Sequence, residues 1–211
     1  MRVILLSWEY PPRIVGKLAE YVSALTSGLA KNGIHSHVVT YHDSMTGSVT
    51  ESDGVNVVRV ANPVKTHVNV LTWMLSLNVE VERASANIYY ENFRKIDILD
   101  AHDWHFIPTA VILKKAFGIP FIFSIDSLED HRSPGSIAPL NMAIKGIEWL
   151  GFYEAESIIS KSEWMKNEII KIHSVPKEKI KVIAPYTDKW IKTEIQTYKS
   201  LGGSKSIERS H

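Results

Sequence analysis

Short apolar runs without polar alternation recur along this chain, separated by segments whose apolar residues fall at helical spacing. Val3–Leu6, Val38–Tyr41, Ile96–Ala101, Phe121–Ile125 and Ser157–Ser160 read as strands. A run such as Phe121-Ile-Phe-Ser-Ile125 suits a strand covered on both faces, because an exposed face would demand alternation. Between the runs, Leu18, Tyr21, Val22, Leu25 and Leu29 mark one helix, closed by Asn32-Gly33. Others are expected over about Val68–Phe93, over Phe106–Phe117 with its stop at Gly118, and around Leu140, Ile144 and Ile147. Ser162 suits the N-cap of a helix running to about His173. Val55–Val60 reads as a short strand near an edge, Lys181–Ile183 as the last strand, and Trp190, Ile191, Ile195 and Tyr198 as a closing helix. Repeated strand–helix–strand units imply an α/β fold: a Rossmann-like parallel sheet with helices on both faces. One domain is expected over residues 1–200, with a polar, disordered tail over 201–211.

Composition narrows the function classes. Lys plus Arg is 24 and Asp plus Glu 23, so the chain has no broad field for nucleic acid or an anionic membrane. Cysteine is absent, which excludes disulfides and thiolate metal sites. No apolar stretch approaches a bilayer span, and the first apolar run is too short for a signal peptide. A soluble, cytoplasmic protein is expected.

In parallel sheets, ligands gather beyond the carboxyl ends of the strands, and the loops there are chemically loaded. The first holds Trp8, Glu9, Tyr10, Arg13, Gly16 and Lys17. Its strand–loop–helix junction can present backbone N–H groups to an anion. Others hold His102, Asp103, Trp104 and His105, then Asp126, Glu129, Asp130, His131 and Arg132, and finally Lys161 and Ser162. Aromatic rings beside carboxylates and His can hold a polyhydroxylated ligand, the rings covering C–H faces and the acceptors taking hydroxyls. Alternatively, Trp8 and Tyr10 wedge the loop against the sheet. His102, Asp103 and His105 have a metal-like composition, but nothing at fixed helical spacing joins them, and strand-end His and Asp often cap the next helix; no metal is expected. Lys161 reads as a solvated charge. Neither a Ser-His-Asp arrangement nor Gly-x-Gly-x-x-Gly is present, so hydrolase and dinucleotide readings lack their motifs.

Five segments together resemble the N-terminal domain of glycogen and starch synthases, especially the compact archaeal type. They are Ser7–Gly16 (SWEYPPRIVG), Asp97–Ala110 (DILDAHDWHFIPTA), Lys114–Ile125 (KKAFGIPFIFSI), Ile147–Ile159 (IEWLGFYEAESII) and Ser162–Ile169 (SEWMKNEI). The resemblance covers nearly all of residues 1–188 and implies the N-terminal half of a GT-B fold. Family enzymes transfer glucose from ADP- or UDP-glucose to an α-1,4-glucan with retention, and their N-terminal domain supplies much of the acceptor side. The resemblance implies that Gly16 faces the donor phosphates and that Asp103 lies near the transferred or acceptor glucose. Asp103 and Asp126 are the candidate catalytic residues; Trp8, Glu9, Tyr10, Gly16, Lys17, His102, Asp103 and His105 are the candidate binding residues.

Three departures bear on activity. Gly16-Lys17-Leu18-Ala19 stands where the family has Gly-Gly-Leu-Gly or a close variant; a positive φ at Lys17 would cost about 1–2 kcal/mol. Asp126 replaces a donor-side His. An unneutralised carboxylate there would oppose a pyrophosphate by about 4 kcal/mol at 4 Å and an effective dielectric near 20. Ala184-Pro-Tyr-Thr-Asp188 replaces Pro-Asn-Gly-Val-Asp at the hinge. No second, donor-binding Rossmann unit fits after Asp188. The chain is therefore expected not to transfer sugar alone and to need no cofactor, with a nucleotide sugar entering only if a second domain is supplied. Expected partners are an α-glucan or maltooligosaccharide, and a separate donor-domain chain or a second copy docked on the interdomain face. The alternatives are an inactive glucan-binding or regulatory module and a remnant working through protein contacts.

Overall fold

The computed structural model describes residues 1–51, 53–66 and 69–202. In chain order the elements are β1 (Arg2–Ser7), α1 (Lys17–Lys31), β2 (His35–Tyr41), β3 (Gly47–Thr50), β4 (Asn56–Val60), α2 (Val70–Glu91) and β5 (Ile98–His102). There follow α3 (Ile107–Phe117), β6 (Phe121–Ile125), α4 (Glu129–Arg132), α5 (Pro139–Glu154), β7 (Ser157–Ser160), α6 (Glu163–His173), β8 (Ile180–Val182) and α7 (Trp190–Gly202). They form an eight-stranded sheet in the order β3-β4-β2-β1-β5-β6-β7-β8. Among the described strands only the β3–β4 pairing is antiparallel.

The apolar runs work on both faces of this sheet. Along β1, Val3 and Leu5 point to a core with α1 and α7, including Leu25, Leu29 and Tyr198. Ile4 and Leu6 point to the opposite core with α2, α3 and α5, including Leu77, Leu113 and Phe152. All four β1 side chains are buried, each worth about 1.5–3 kcal/mol of removal from water. Gly151 lets α5 lie close to the sheet: a Cβ there would come within 2.8 Å of the Phe123 ring and 2.9 Å of Ile107. Asn69 and Ser162 cap α2 and α6 by accepting from the N–H of Thr72 and Met165, at 3.0 and 3.1 Å.

Three features depart from the sequence reading. β3 had no apolar run to announce it, since all four of its residues are exposed. The loop expected after β6, which holds Asp126 to Arg132, contains the short helix α4. Of the tail expected from residue 201, Leu201 and Gly202 instead complete α7; residues 203–211 and Val68, the expected start of α2, lie outside the described residues. Among the described residues no helix is long and apolar enough to cross a membrane.

From β1 the chain steps outward to β2 and β4, then returns to place β5 on the other side of β1. The carboxyl ends of β1 and β5 therefore flank a topological switch point, with Ser7 opposite His102. That is where a crevice opens in an α/β sheet.

Candidate functional site

Asp103 stands at this switch point. Its N–H donates to the Ser124 carbonyl at 2.9 Å, extending the β5–β6 ladder by one residue. The chain then turns sharply into the 3-10 turn Trp104–Phe106 that leads to α3, and Asp103 takes φ 62° and ψ 179°. That conformation belongs almost wholly to glycine, and it costs a residue with a Cβ about 1–3 kcal/mol. The carboxylate is 9% exposed and 3.8 Å from the Arg132 guanidinium. Ser127 Oγ donates to Oδ2 at 3.4 Å, while Oδ1 is buried without a hydrogen-bond partner. Burial pushes the Asp103 pKa up to about 6, against the opposing pull of Arg132. Arg132 itself is held by Glu129 at 2.9 Å and Glu148 at 2.7 Å.

Asp126, one residue beyond β6, does not stand alone. It forms an ion pair with Lys161, the residue after β7, whose Nζ also lies 3.8 Å over the Tyr21 ring. The sequence reading is corrected twice here. Lys161 is paired with Asp126 rather than a free solvated charge, and Asp126 is not the bare carboxylate that the repulsion argument assumed.

His102 is buried, 1% exposed, and lies under these groups rather than at the surface. Its Nε2 is 3.5 Å from Asp100 Oδ2, and burial lowers its pKa, so the ring is neutral. Beneath it lies a polar layer the sequence reading missed. Asp100 accepts from Ser124 Oγ at 2.7 Å and from the Tyr198 hydroxyl. Glu194 Oε1 accepts from the Tyr21 hydroxyl at 3.0 Å and from Trp190 Nε1 at 3.3 Å. Burial pushes Glu194 up to about 8, so it is protonated at neutral pH. The signal was present: Trp190, Glu194 and Tyr198 recur every four residues, which puts a carboxyl on the apolar stripe of α7.

The first loop is built differently from a phosphate cradle. Glu9 is buried, and its Oε2 accepts from the N–H groups of Val15 at 2.5 Å and Gly16 at 2.7 Å. The amide of Gly16 is thus engaged by the chain's own carboxylate rather than open to a donor phosphate. Gly16 has φ −149°, an ordinary extended backbone, and Lys17 opens α1. The strain considered for Lys17 is therefore absent, and its side chain is exposed. Tyr10 is also corrected: at 1% exposure it belongs to the core, its hydroxyl 3.2 Å from both Thr26 Oγ1 and Glu51 Oε2. Trp8 is stacked between partners, with ring centroids 5.3 Å from Tyr41 and from His105. The Arg13 guanidinium lies 4.3 Å over Trp8. His105 is held neutral, its pKa lowered to about 3 mainly by burial. The structure thus gathers Asp103, Asp126, Lys161 and Arg132 around the carboxyl ends of β5–β7. It places Trp8 and His105 in a supporting stack and withdraws Tyr10, Glu9 and His102 beneath the surface.

The sequence profile of Glycosyltransferase Family 4 matches residues 18–189. The chain belongs to Glycosyltransferase Family 4. This family member is 34% identical over 192 residues to an uncharacterized glycosyltransferase of Methanocaldococcus jannaschii, covering 90% of this chain and 47% of that protein. It is 27% identical over 197 residues to the glycogen synthase of Mycobacterium tuberculosis, covering 87% of this chain and 47% of the relative. The chain spans about half the length of the curated relatives it matches. Sucrose-phosphate synthase from Thermosynechococcus elongatus superposes with a TM-score of 0.71 at 17% identity, over 87% of this chain and 47% of that one. The catalytic domain of starch synthase IV from Arabidopsis thaliana, bound to ADP and acarbose, superposes with a TM-score of 0.61 at 12% identity, over 89% and 52%. At those identities the structural likeness speaks for the fold. That fold is the one of the N-terminal domain of GT-B glycosyltransferases.

Proposed function

We propose that these 211 residues form the acceptor-side half of a glucosyltransferase of the glycogen and starch synthase type, and that the half binds an α-1,4-glucan without transferring sugar by itself. The observation that carries the reading is the strained, buried Asp103 at the switch point, within a chain of this family. A carboxyl with its pKa raised to about 6 can accept from a sugar hydroxyl when ionised and donate to one when protonated. Asp126 and Lys161 present a paired acceptor and donor beside it. In this reading the nucleotide diphosphate of ADP- or UDP-glucose is held by a donor-binding half, in the same polypeptide or a separate one.

The experiment is calorimetric titration with maltohexaose, alongside an assay for glucose transfer from ADP- and UDP-glucose. The reading expects saturable maltohexaose binding, weakened tenfold or more by Asp103→Asn, and no transfer by the 211-residue polypeptide. Transfer by that polypeptide would overturn it, as would the absence of any glucan binding.

A second reading, a glucan-binding or regulatory module with no donor chemistry, is favoured by one specific observation. Glu9 occupies the Val15 and Gly16 amides, so an incoming phosphate would have to displace a buried carboxylate. Restored transfer on adding a donor-binding half would decide against it.

A further inference from the structure

Behind the segment that carries Asp126 and Arg132, three elements converge. Asp130 on α4, Glu148 on α5 and His173 at the end of α6 each offer a ligand atom within 4.8 Å of the other two. Two of these side chains carry buried atoms with nothing to bind. Glu148 is 0% exposed, and its Oε1 is used, accepting from the Glu129 N–H at 2.8 Å and from Arg132 at 2.7 Å. Its Oε2 has no hydrogen-bond partner, and neither has His173 Nε2. A buried carboxylate oxygen without a partner is costly, and a native structure rarely leaves one unanswered.

Charge counting points the same way. Asp103, Glu129, Asp130 and Glu148 surround Arg132 and Lys145, with Lys145 Nζ 2.7 Å from Asp130 Oδ1. These four acidic groups face two cations, so a further positive charge is favoured among them. The imidazole of His173 reaches this cluster with its Nε2 buried and unpartnered. Phe152 packs against that ring at 4.8 Å and fixes its plane.

We propose that Asp130, Glu148 and His173 form a binding site for a divalent cation of the zinc and cobalt class, which pins α4 to α5 and α6. One imidazole with two carboxylates suits such ions better than Mg2+ or Ca2+, which prefer all-oxygen shells. The expectation of no metal, made for the His102–Asp103–His105 loop, does not bear on this cluster. The role is positional: the pinned segment carries Ser127 and Arg132, which contact Asp103. The proposal does not depend on the glucan reading.

The test is calorimetric titration of the chelator-stripped protein with ZnCl2, followed by CoCl2 absorption spectroscopy. One equivalent of Zn2+ is expected to bind and, at a hundredfold excess over Kd, to raise Tm by about 5 °C or more. Co2+ is expected to develop visible bands that Zn2+ bleaches. Asp130→Asn, at a side chain 26% exposed, and His173→Gln should each lower affinity tenfold or more. His37→Gln, on the far strand β2, should leave it unchanged. Absence of stoichiometric binding at micromolar metal, or binding undiminished in both Asp130→Asn and His173→Gln, would overturn the proposal.

Discussion

Replacing Asp103 by glycine and, separately, by alanine measures the strain stored at the switch point. Both variants lose the same carboxylate, the Ser127 contact and the attraction of Arg132, so those effects cancel in the comparison. What remains is the backbone at φ 62° and ψ 179°. Alanine keeps a Cβ and the strain of about 1–3 kcal/mol. Glycine relieves it and loses about 0.5–1 kcal/mol through the extra freedom of the unfolded chain. Asp103→Gly should therefore be more stable than Asp103→Ala by about 1 kcal/mol, or about 2–4 °C in Tm for a chain of this size. Thermal and urea denaturation of the two variants side by side reads the difference, and both should lose glucan affinity. Equal stability, or a more stable alanine variant, would refute the claim that the backbone is strained there.

The buried carboxyls set a pH dependence with a definite sign. Glu148 and Glu194 have folded pKa values raised to about 7 and about 8. Their contribution is fully present below the unfolded value and is lost as pH rises through the folded one, at up to about 1.4 kcal/mol per pH unit for each. Burial lowers His37, His102, His105 and His173, which offsets the trend below about pH 6.5 and falls silent above it. Tm should therefore decline from about pH 6.5 to 8, and Glu194→Gln, which keeps an acceptor for Tyr21 and Trp190, should flatten the decline; a parallel decline in the variant would count against the assignment. Gly151→Ala should cost about 1–3 kcal/mol in urea denaturation, because its Cβ meets the Phe123 ring at 2.8 Å; an unchanged midpoint would show that α5 can shift freely.

How much of this was legible depends on how local the cause was. β6 and β7 were readable to the residue, because both lie inside the sheet and are apolar on both faces. The Ser162 cap was readable because its acceptor and donor lie three residues apart. By contrast, β3 presents exposed residues and exists through its pairing with β4. Lys161 looked solvated because its partner Asp126 lies 35 residues away. Asp100 and Glu194 are answered by hydroxyls brought from α1, β6 and α7, an encounter that only the sheet order creates. Glu9 looked like a ligand residue because a carboxylate that holds its own loop and one that holds a sugar are spelled alike. The strain at Asp103 had no local sign, since the sequence places an aspartate where the turn suits a glycine.

The central claim, that the carboxyl ends of β5–β7 form a glucan-facing site, is tested most directly by backbone-amide NMR during titration with maltohexaose. The account predicts saturable shifts at Asp103, Asp126, Ser127 and Lys161, with the remote β3–β4 hairpin unmoved. Absence of shifts at millimolar maltohexaose, or shifts confined to other surfaces, would contradict it.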